Sequence, residues 1–334
     1  MRVLIIGGTG LISTGIVKHL LARKAEVTIL NRAQRENRLD GPVKQIVANR
    51  DDAPAFEQAL ADLKFDVVID MICFRPEQAQ SDIRAVGYRC GHFIFCSTVC
   101  SYGVKTPPGV LVDETHPQEP ISDYGRNKLA CEQTFMKAHE QRIMPVTIIR
   151  PSHTYGPGLP LIDNIEADPV SWDRIERGLP ILCAGDGLGL WNSTHRDDCG
   201  KAFAFGAMNS KTFGQSYNAT RDKVLTWRDY IRQVASTIGK PAHVLYMPAD
   251  WIIRHDPNRF KLLKEITSFH GAYSSAKAKR DIPEFRCEIE LPAGAAQTLA
   301  DARSRKALKS GQGDALYDSM VQKALAAGIE PVTL

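Results

Sequence analysis

The sequence predicts an α/β protein built on a doubly wound parallel sheet, with a smaller C-terminal substrate-binding region. Three observations carry that expectation. Short runs rich in Val and Ile alternate with helical patterns over the first 150 residues. Those runs are nearly continuous in apolar character, as strands covered on both faces are. The first of them leads directly into the turn Gly7-Gly8-Thr9-Gly10. A glycine turn between a first strand and a first helix is the mark of a Rossmann-type sheet.

Taken in order, the expected strands are Arg2–Ile6, Glu26–Leu30, Lys44–Ala48, Val67–Met71, His92–Cys96 and Val146–Arg150. Helical patterns fall between them at Gly10–Ala22, Asp52–Leu63, Pro76–Gly87 and Tyr124–His139. Beyond Arg150 the texture changes. Pro151–Asp168 is rich in Pro, Gly and Asp and reads as loop. A helix near Val170–Arg177, a strand at Pro180–Cys183 and a glycine-rich hairpin from Ala184 follow, then a helix at Asp197–Met208. Ser216–Asn218 reads as strand, Trp227–Ile238 as an amphipathic helix, and Ala249 onward as helices and loops with weak signals. The expected division is residues 1–168 as the dinucleotide-binding domain, with segments near 184–222 returning to it, and 169–334 as the substrate-binding region.

Composition narrows the function classes. Charged residues make up 24% and the net charge is +4, too small and dispersed for a nucleic-acid surface. No run approaches the roughly 18 apolar residues of a membrane span. The apolar run at Val3–Ile6 enters the glycine turn, so removing it as a leader would destroy that turn. The eight cysteines show neither disulfide-scaffold nor zinc-site spacing, which points to a cytoplasmic protein with no metal.

Tyr124 and Lys128 stand four apart at the start of a helical pattern, which puts both side chains on one helix face. A phenol is a poor base at its free pKa of about 10, and a nearby cation favours the phenolate. Lowering it to neutrality takes about 4 kcal/mol of differential interaction. An ammonium and an oxidised nicotinamide could supply that together. Behind a dinucleotide turn, the pair proposes hydride transfer.

The turn itself is Gly-x-x-Gly-x-x-Ser, with Ser13 where a third glycine would aid packing. Gly7, Thr9, Gly10, Leu11 and Ile12 are expected to cradle a pyrophosphate at the helix N-terminus. At the end of the second strand, an acidic residue would grip the adenosine ribose. This chain has Asn31 and Arg32 there, with Arg35 and Arg38 nearby, which suits a 2′-phosphate and favours NADP over NAD.

These residues resemble the extended short-chain dehydrogenase/reductase superfamily, especially its NAD(P)-dependent sugar and nucleotide-sugar epimerases and dehydratases. The resemblance covers roughly residues 1–310. It also rests on Phe93-Ile-Phe-Cys-Ser-Thr98-Val-Cys100-Ser-Tyr-Gly103, on Arg150-Pro-Ser-His153-Thr-Tyr-Gly-Pro-Gly158, on His195-Arg-Asp-Asp198 and on Tyr273-Ser-Ser-Ala-Lys-Ala-Lys-Arg-Asp281. It implies that Thr98 bonds the reacting hydroxyl, Tyr124 removes its proton, and Lys128 holds the cofactor ribose and lowers the tyrosine pKa. It further places Asn49 and Arg50 at the adenine, Ile72 and Cys73 beneath the cofactor, and Pro151 and His153 in a loop closing over nicotinamide and substrate. A homodimer and a small-molecule sugar substrate belong to the same expectation.

Two departures bear on the reaction. The 4,6-dehydratases carry Asp-Glu after the Thr, where this chain has Val99 and Cys100. A thiol with a pKa near about 8.5 is a credible acid/base beside a carbonyl, as in epimerising relatives with cysteine there. The arginine that usually grips a substrate diphosphate is replaced by Trp191, which could stack on a sugar, with Arg254 and Arg259 as later basic positions. Net epimerisation is the leading expectation, with dehydration beside it. A simple dehydrogenase or reductase of a sugar, polyol or sugar acid comes second. A nucleic-acid-binding relative, like the chloroplast stem-loop-binding proteins of the superfamily, is third; the intact Tyr124/Lys128 pair argues against it.

Overall fold

The computed structural model describes residues 1–34, 39–105 and 111–334. The chain forms two compact units. The first comprises Met1–Thr154, Arg196–Asp222 and Tyr273–Glu288. The second comprises Tyr155–His195, Lys223–Ala272 and Ile289–Leu334. The first break between the units lies at Thr154/Tyr155, inside the Pro/Gly-rich stretch, against the expected bound at residue 168. The returning segment Tyr273–Glu288 has no counterpart in the sequence-based division.

The first unit contains β1 (Arg2–Ile6), α1 (Leu11–Ala22), β2 (Glu26–Asn31), β3 (Lys44–Val47), α2 (Ala53–Leu60), β4 (Phe65–Asp70), α3 (Pro76–Val86), β5 (Cys90–Cys96), α4 (Asp123–Glu140) and β6 (Val146–Pro151). With the strand Gln215–Ala219 these form one seven-stranded sheet, in the order Gln215–Ala219, β6, β5, β4, β1, β2, β3. Every neighbouring pair is parallel. This is the expected doubly wound sheet.

Each face of the sheet has its own core, which is why its strands read as unbroken apolar runs. Ile5, Ile29 and Ile69 pack with Ile16, Leu20 and Phe203 on one side. Leu4, Val68 and Phe95 pack with Phe56 and Phe135 on the other. Full burial of such side chains stabilises by about 1.5–3 kcal/mol each. Helix starts follow their caps: Asp52 accepts from Ala55 N–H at 3.2 Å, and Ser122 from Gly125 N–H at 3.1 Å.

In the second unit, strand Ile181–Ala184 lies parallel to His243–Met247, which pairs antiparallel with Val332–Thr333. The strand at His243–Met247 was absent from the sequence reading. It is a five-residue run with a polar His at its start, and its partners lie far away in the chain. Helix Trp227–Ile238 packs against helix Leu291–Ser304 around a core rich in aromatic rings. Among the described residues no helix is long and apolar enough to cross a membrane.

Candidate active site

A cavity of about 600 Å³ opens at the C-terminal ends of β1 to β4. It is lined by Gly7, Thr9, Gly10, Asn31, Arg32, Asn49, Arg50 and Ile72 from the expected set. Ala33, Gln34, Ala48, Asp51, Phe74 and Gln78 line it too, and sequence reasoning missed them. Arg35 and Arg38 fall outside the described residues.

Gly7 sits at φ +86°, and a Cβ there would lie 2.5 Å from Ile72 Cγ2, so the turn demands glycine twice over. Gly10 caps α1 without any side-chain hydrogen bond, and no acidic residue stands in the first turn. The N–H groups at Leu11 and Ile12 therefore sit at a helix end suited to an anion. Ser13 is no passive glycine substitute: its hydroxyl donates to Gly7 O at 2.8 Å and braces the turn. The volume, the glycine cradle and the uncapped helix end fit a dinucleotide.

At the rim, Asn31 Oδ1 accepts from Ala33 N–H at 2.8 Å and from Gln45 Nε2 at 2.9 Å, while Arg32 stands exposed. Arg50 requires a correction. Its guanidinium is bound to Asp70 and Asp82 and donates to Gln78 O at 2.9 Å, all buried. Burial opposes that charge, but the two carboxylates outweigh it and raise the arginine pKa. Desolvation and then the charge of Asp70 push the Asp82 carboxyl well up, while Arg50 holds desolvated Asp70 low. The charge of Arg50 is thus spent inside the protein and is not offered to adenine. Asp70, Cys73 and Asp82 offer ligand atoms within 4.8 Å of one another, the spacing of a metal site, but Arg50 already pairs with both carboxylates.

Tyr124 and Lys128 project from the start of α4. Gly125 lets that helix reach the turn after β5: a Cβ there would lie 2.6 Å from Cys100 O. Thr98 follows β5 in extended backbone, accepts from Cys100 N–H at 3.1 Å, and lies near enough to Tyr124 to act on its hydroxyl. The tyrosine ring is 43% exposed while its hydroxyl end is enclosed. That burial raises the hydroxyl pKa above its ordinary value, the Cys96 and Cys100 thiols add to it, and the Thr98 side chain opposes it.

Lys128 differs from expectation. It is 1% exposed, and Nζ donates to Cys73 O at 2.8 Å and Cys96 O at 2.6 Å, with the Phe74 and Phe95 rings each 4.7 Å away. It clasps the ends of β4 and β5 and is absent from the main influences on Tyr124. Cys73 serves through its carbonyl, and its thiol lies 3.7 Å from Cys131 Sγ. Pro151 is buried at the end of β6. His153 follows, with its imidazole held near about 4 by desolvation and so neutral at pH 7. Neither residue lines the cavity.

Sequence reasoning also missed Glu132, one turn beyond Lys128. Its carboxylate accepts from Arg150 Nε at 2.9 Å and Nη2 at 2.6 Å, from Gln118 Nε2 at 3.0 Å and from the Ser97 hydroxyl. Arg150 Nη1 donates onward to Tyr102 Oη at 2.8 Å. The buried network ties α4 to the strand end that carries Thr98. The signal was available: an acid at the next turn of a functional helix, and an arginine inside an apolar strand.

In the second unit Trp191 is 6% exposed and stacks on Trp227, with ring centroids 4.7 Å apart. It is a core residue, and the expected sugar platform is not there. Arg259 is likewise committed, to Glu166 and Asp314, each at 2.6 Å.

A family model described as the NAD dependent epimerase/dehydratase family matches residues 3–219. The chain belongs to that family. It is similar to the 2'-dehydrokanamycin reductase of Streptomyces kanamyceticus, 28% identical over 251 residues that cover 75% of this chain and 70% of that one. A UDP-glucose 4-epimerase of Lacticaseibacillus casei is 27% identical over 152 residues that cover 40% of this chain and 45% of that one. Among solved structures, a UDP-glucose 4-epimerase of Thermotoga maritima with UDP-glucose is 18% identical, with a TM-score of 0.74, covering 92% of this chain and 100% of that one. A UDP-glucuronic acid 4-epimerase of Bacillus cereus with NAD is 19% identical, with a TM-score of 0.73, covering 92% and 98%. Both likenesses show the fold. Family membership makes the chain an NAD-dependent enzyme of the epimerase/dehydratase kind.

Proposed function

We propose that this enzyme moves hydride between a nicotinamide dinucleotide and a secondary carbinol of a sugar-like substrate. The observation that carries the proposal is the pairing of Tyr124 at the start of α4 with Thr98 just past β5, beside a cavity framed by the glycine turn. When bound, the dinucleotide supplies the hydride acceptor or donor and, oxidised, a positive charge that lowers the tyrosyl pKa. Thr98 orients the substrate oxygen. Tyr124, protonated at rest by burial, gives its proton to a ketone; in the oxidative direction it would have to lose that proton first and take the alcohol's proton as the phenolate. Lys128 fixes the floor beneath both through the two strand-end carbonyls.

For the net reaction, epimerisation is favoured by Cys100, whose thiol is near enough to act on Tyr124 and is a credible acid/base beside a ketone. Dehydration loses support because Val99 and Cys100 replace the acid pair it uses. A second reading, net reduction of a sugar ketone, is favoured by the likeness to a 2'-dehydrokanamycin reductase and by the protonated resting state of Tyr124. For the cofactor, exposed Arg32 and the absence of a carboxylate at Asn31 support NADP over NAD.

The test is one incubation series with NADPH, NADH and their oxidised forms against UDP-glucose, UDP-glucuronic acid and 2'-dehydrokanamycin. Isomerised sugar without net absorbance change supports epimerisation; stoichiometric loss of the reduced band supports reduction. Calorimetry that finds no affinity for any of the four dinucleotides ends the proposal.

A further inference from the structure

Phe74 has no part in the chemistry so far, yet it is the one aromatic side chain lining the cavity among the described residues, and it is 44% exposed. A phenyl ring left open to water gains little there. It gains most when a flat apolar surface covers it. Nor is its placement loose. Its N–H donates to Gln78 Oε1 at 2.7 Å, and Gln78 Nε2 donates to Asp51 Oδ1 at 2.9 Å, so the side chain that opens α3 fixes the backbone of Phe74.

The sheet order says which end of the cavity this is. β3 and β2 carry Asn49 and Arg32 past their ends, β1 carries the glycine turn, and β4 carries Phe74. β4 is the neighbour of β5, and Thr98 stands two residues past the end of β5. The Phe74 ring centroid lies 6.4 Å from that of Tyr124, tilted by 44°, and 4.7 Å from Lys128 Nζ. The Phe74 ring therefore faces the reactive end, while its backbone is anchored through Gln78 to Asp51 past β3.

We propose that the open face of Phe74 is the stacking wall for the nicotinamide ring, making it the residue that sets affinity at the reactive end of the dinucleotide. This rests on the dinucleotide reading of the cavity given above. The ring is held from behind by the lysine ammonium and in front by the bound heterocycle. A leucine could fill the volume but would not match the flat surface.

The experiment compares whole dinucleotides with fragments that lack the ring. Dissociation constants of the full-length protein are measured for NADPH and NADH by nicotinamide fluorescence, and for ADP-ribose and 2′-phospho-ADP-ribose by calorimetry. Phe74→Ala is expected to weaken the reduced dinucleotides about 10-fold and to leave both fragments within about twofold. Phe74→Trp keeps dinucleotide affinity within about threefold, and Phe74→Leu, the variant to use if alanine disturbs folding, falls between. Equal weakening of dinucleotides and fragments, or no weakening of either, overturns the proposal. A wild-type protein that binds neither dinucleotides nor fragments ends the underlying reading as well, and that outcome is seen before any variant is made.

Discussion

The glycine turn of the first unit and the Gly189-Leu190-Trp191 segment of the second both carry residues with an expected ligand role, yet they meet different fates. At the turn, the requirement is written in the backbone: φ +86° at Gly7 and the close approach to Ile72 leave no other residue type. At the second segment the expectation rested on side-chain chemistry alone, and Trp191 is drawn into a stack with Trp227. The same contrast separates the arginines. Arg32 stays exposed at the cavity rim, whereas Arg259 is consumed by two carboxylates. A backbone requirement survives folding, while a side chain's chemistry is available to whichever partner is nearest.

The largest effect expected from that contrast is at Tyr124. Tyr124→Phe should lower turnover about 10³-fold on whichever substrate the incubation series identifies, while dinucleotide affinity is unchanged by calorimetry. Equal loss of both would place the residue among the binding groups. Next come the buried arginines. Arg150→Met leaves Glu132 without its partner in an almost fully buried site and should cost about 3–5 kcal/mol in urea unfolding. Arg259→Met, in a more exposed cluster of the second unit, should cost about 1–2 kcal/mol. A reversed order would undo the comparison of the two units.

His92 sharpens it through pH. Desolvation holds its imidazole at about 3 against an ordinary 6.5, so the neutral form belongs to the folded state. Its contribution is complete above pH 6.5 and is lost as pH falls toward 3, about 3 kcal/mol between pH 7 and pH 4. His92→Gln should flatten that part of the acid stability profile, and an unchanged slope would exclude the residue. The smallest effect is at Trp191: Trp191→Phe should lower stability by about 1 kcal/mol and leave substrate KM unaltered. A raised KM with intact stability would restore it as a substrate contact.

Much of the first unit was legible because strands buried on both faces must be apolar throughout, and Val67, Ile69 and Phe93 satisfy that without regard to distant partners. The strand His243–Met247 was not, since its identity depends on pairing with Ile181–Ala184 and Val332–Thr333. Within the site, Tyr124 and the glycine turn were legible from spacing, and Thr98 through the family resemblance. The orientation of Lys128 was not, because nothing local says whether an ammonium will face a phenol or two carbonyls. Arg50 misled for the same reason: its partners Asp70 and Asp82 lie on other elements.

A lysine that fastens the ends of β4 and β5 serves the scaffold even when no chemistry is under way. Descendants of this chain that abandoned catalysis would be free to lose the tyrosine yet held to the lysine by the need to keep two strands in line. Persistence of residue 128 in such a lineage is no sign of surviving activity, and loss of residue 124 is the better marker of a retired enzyme.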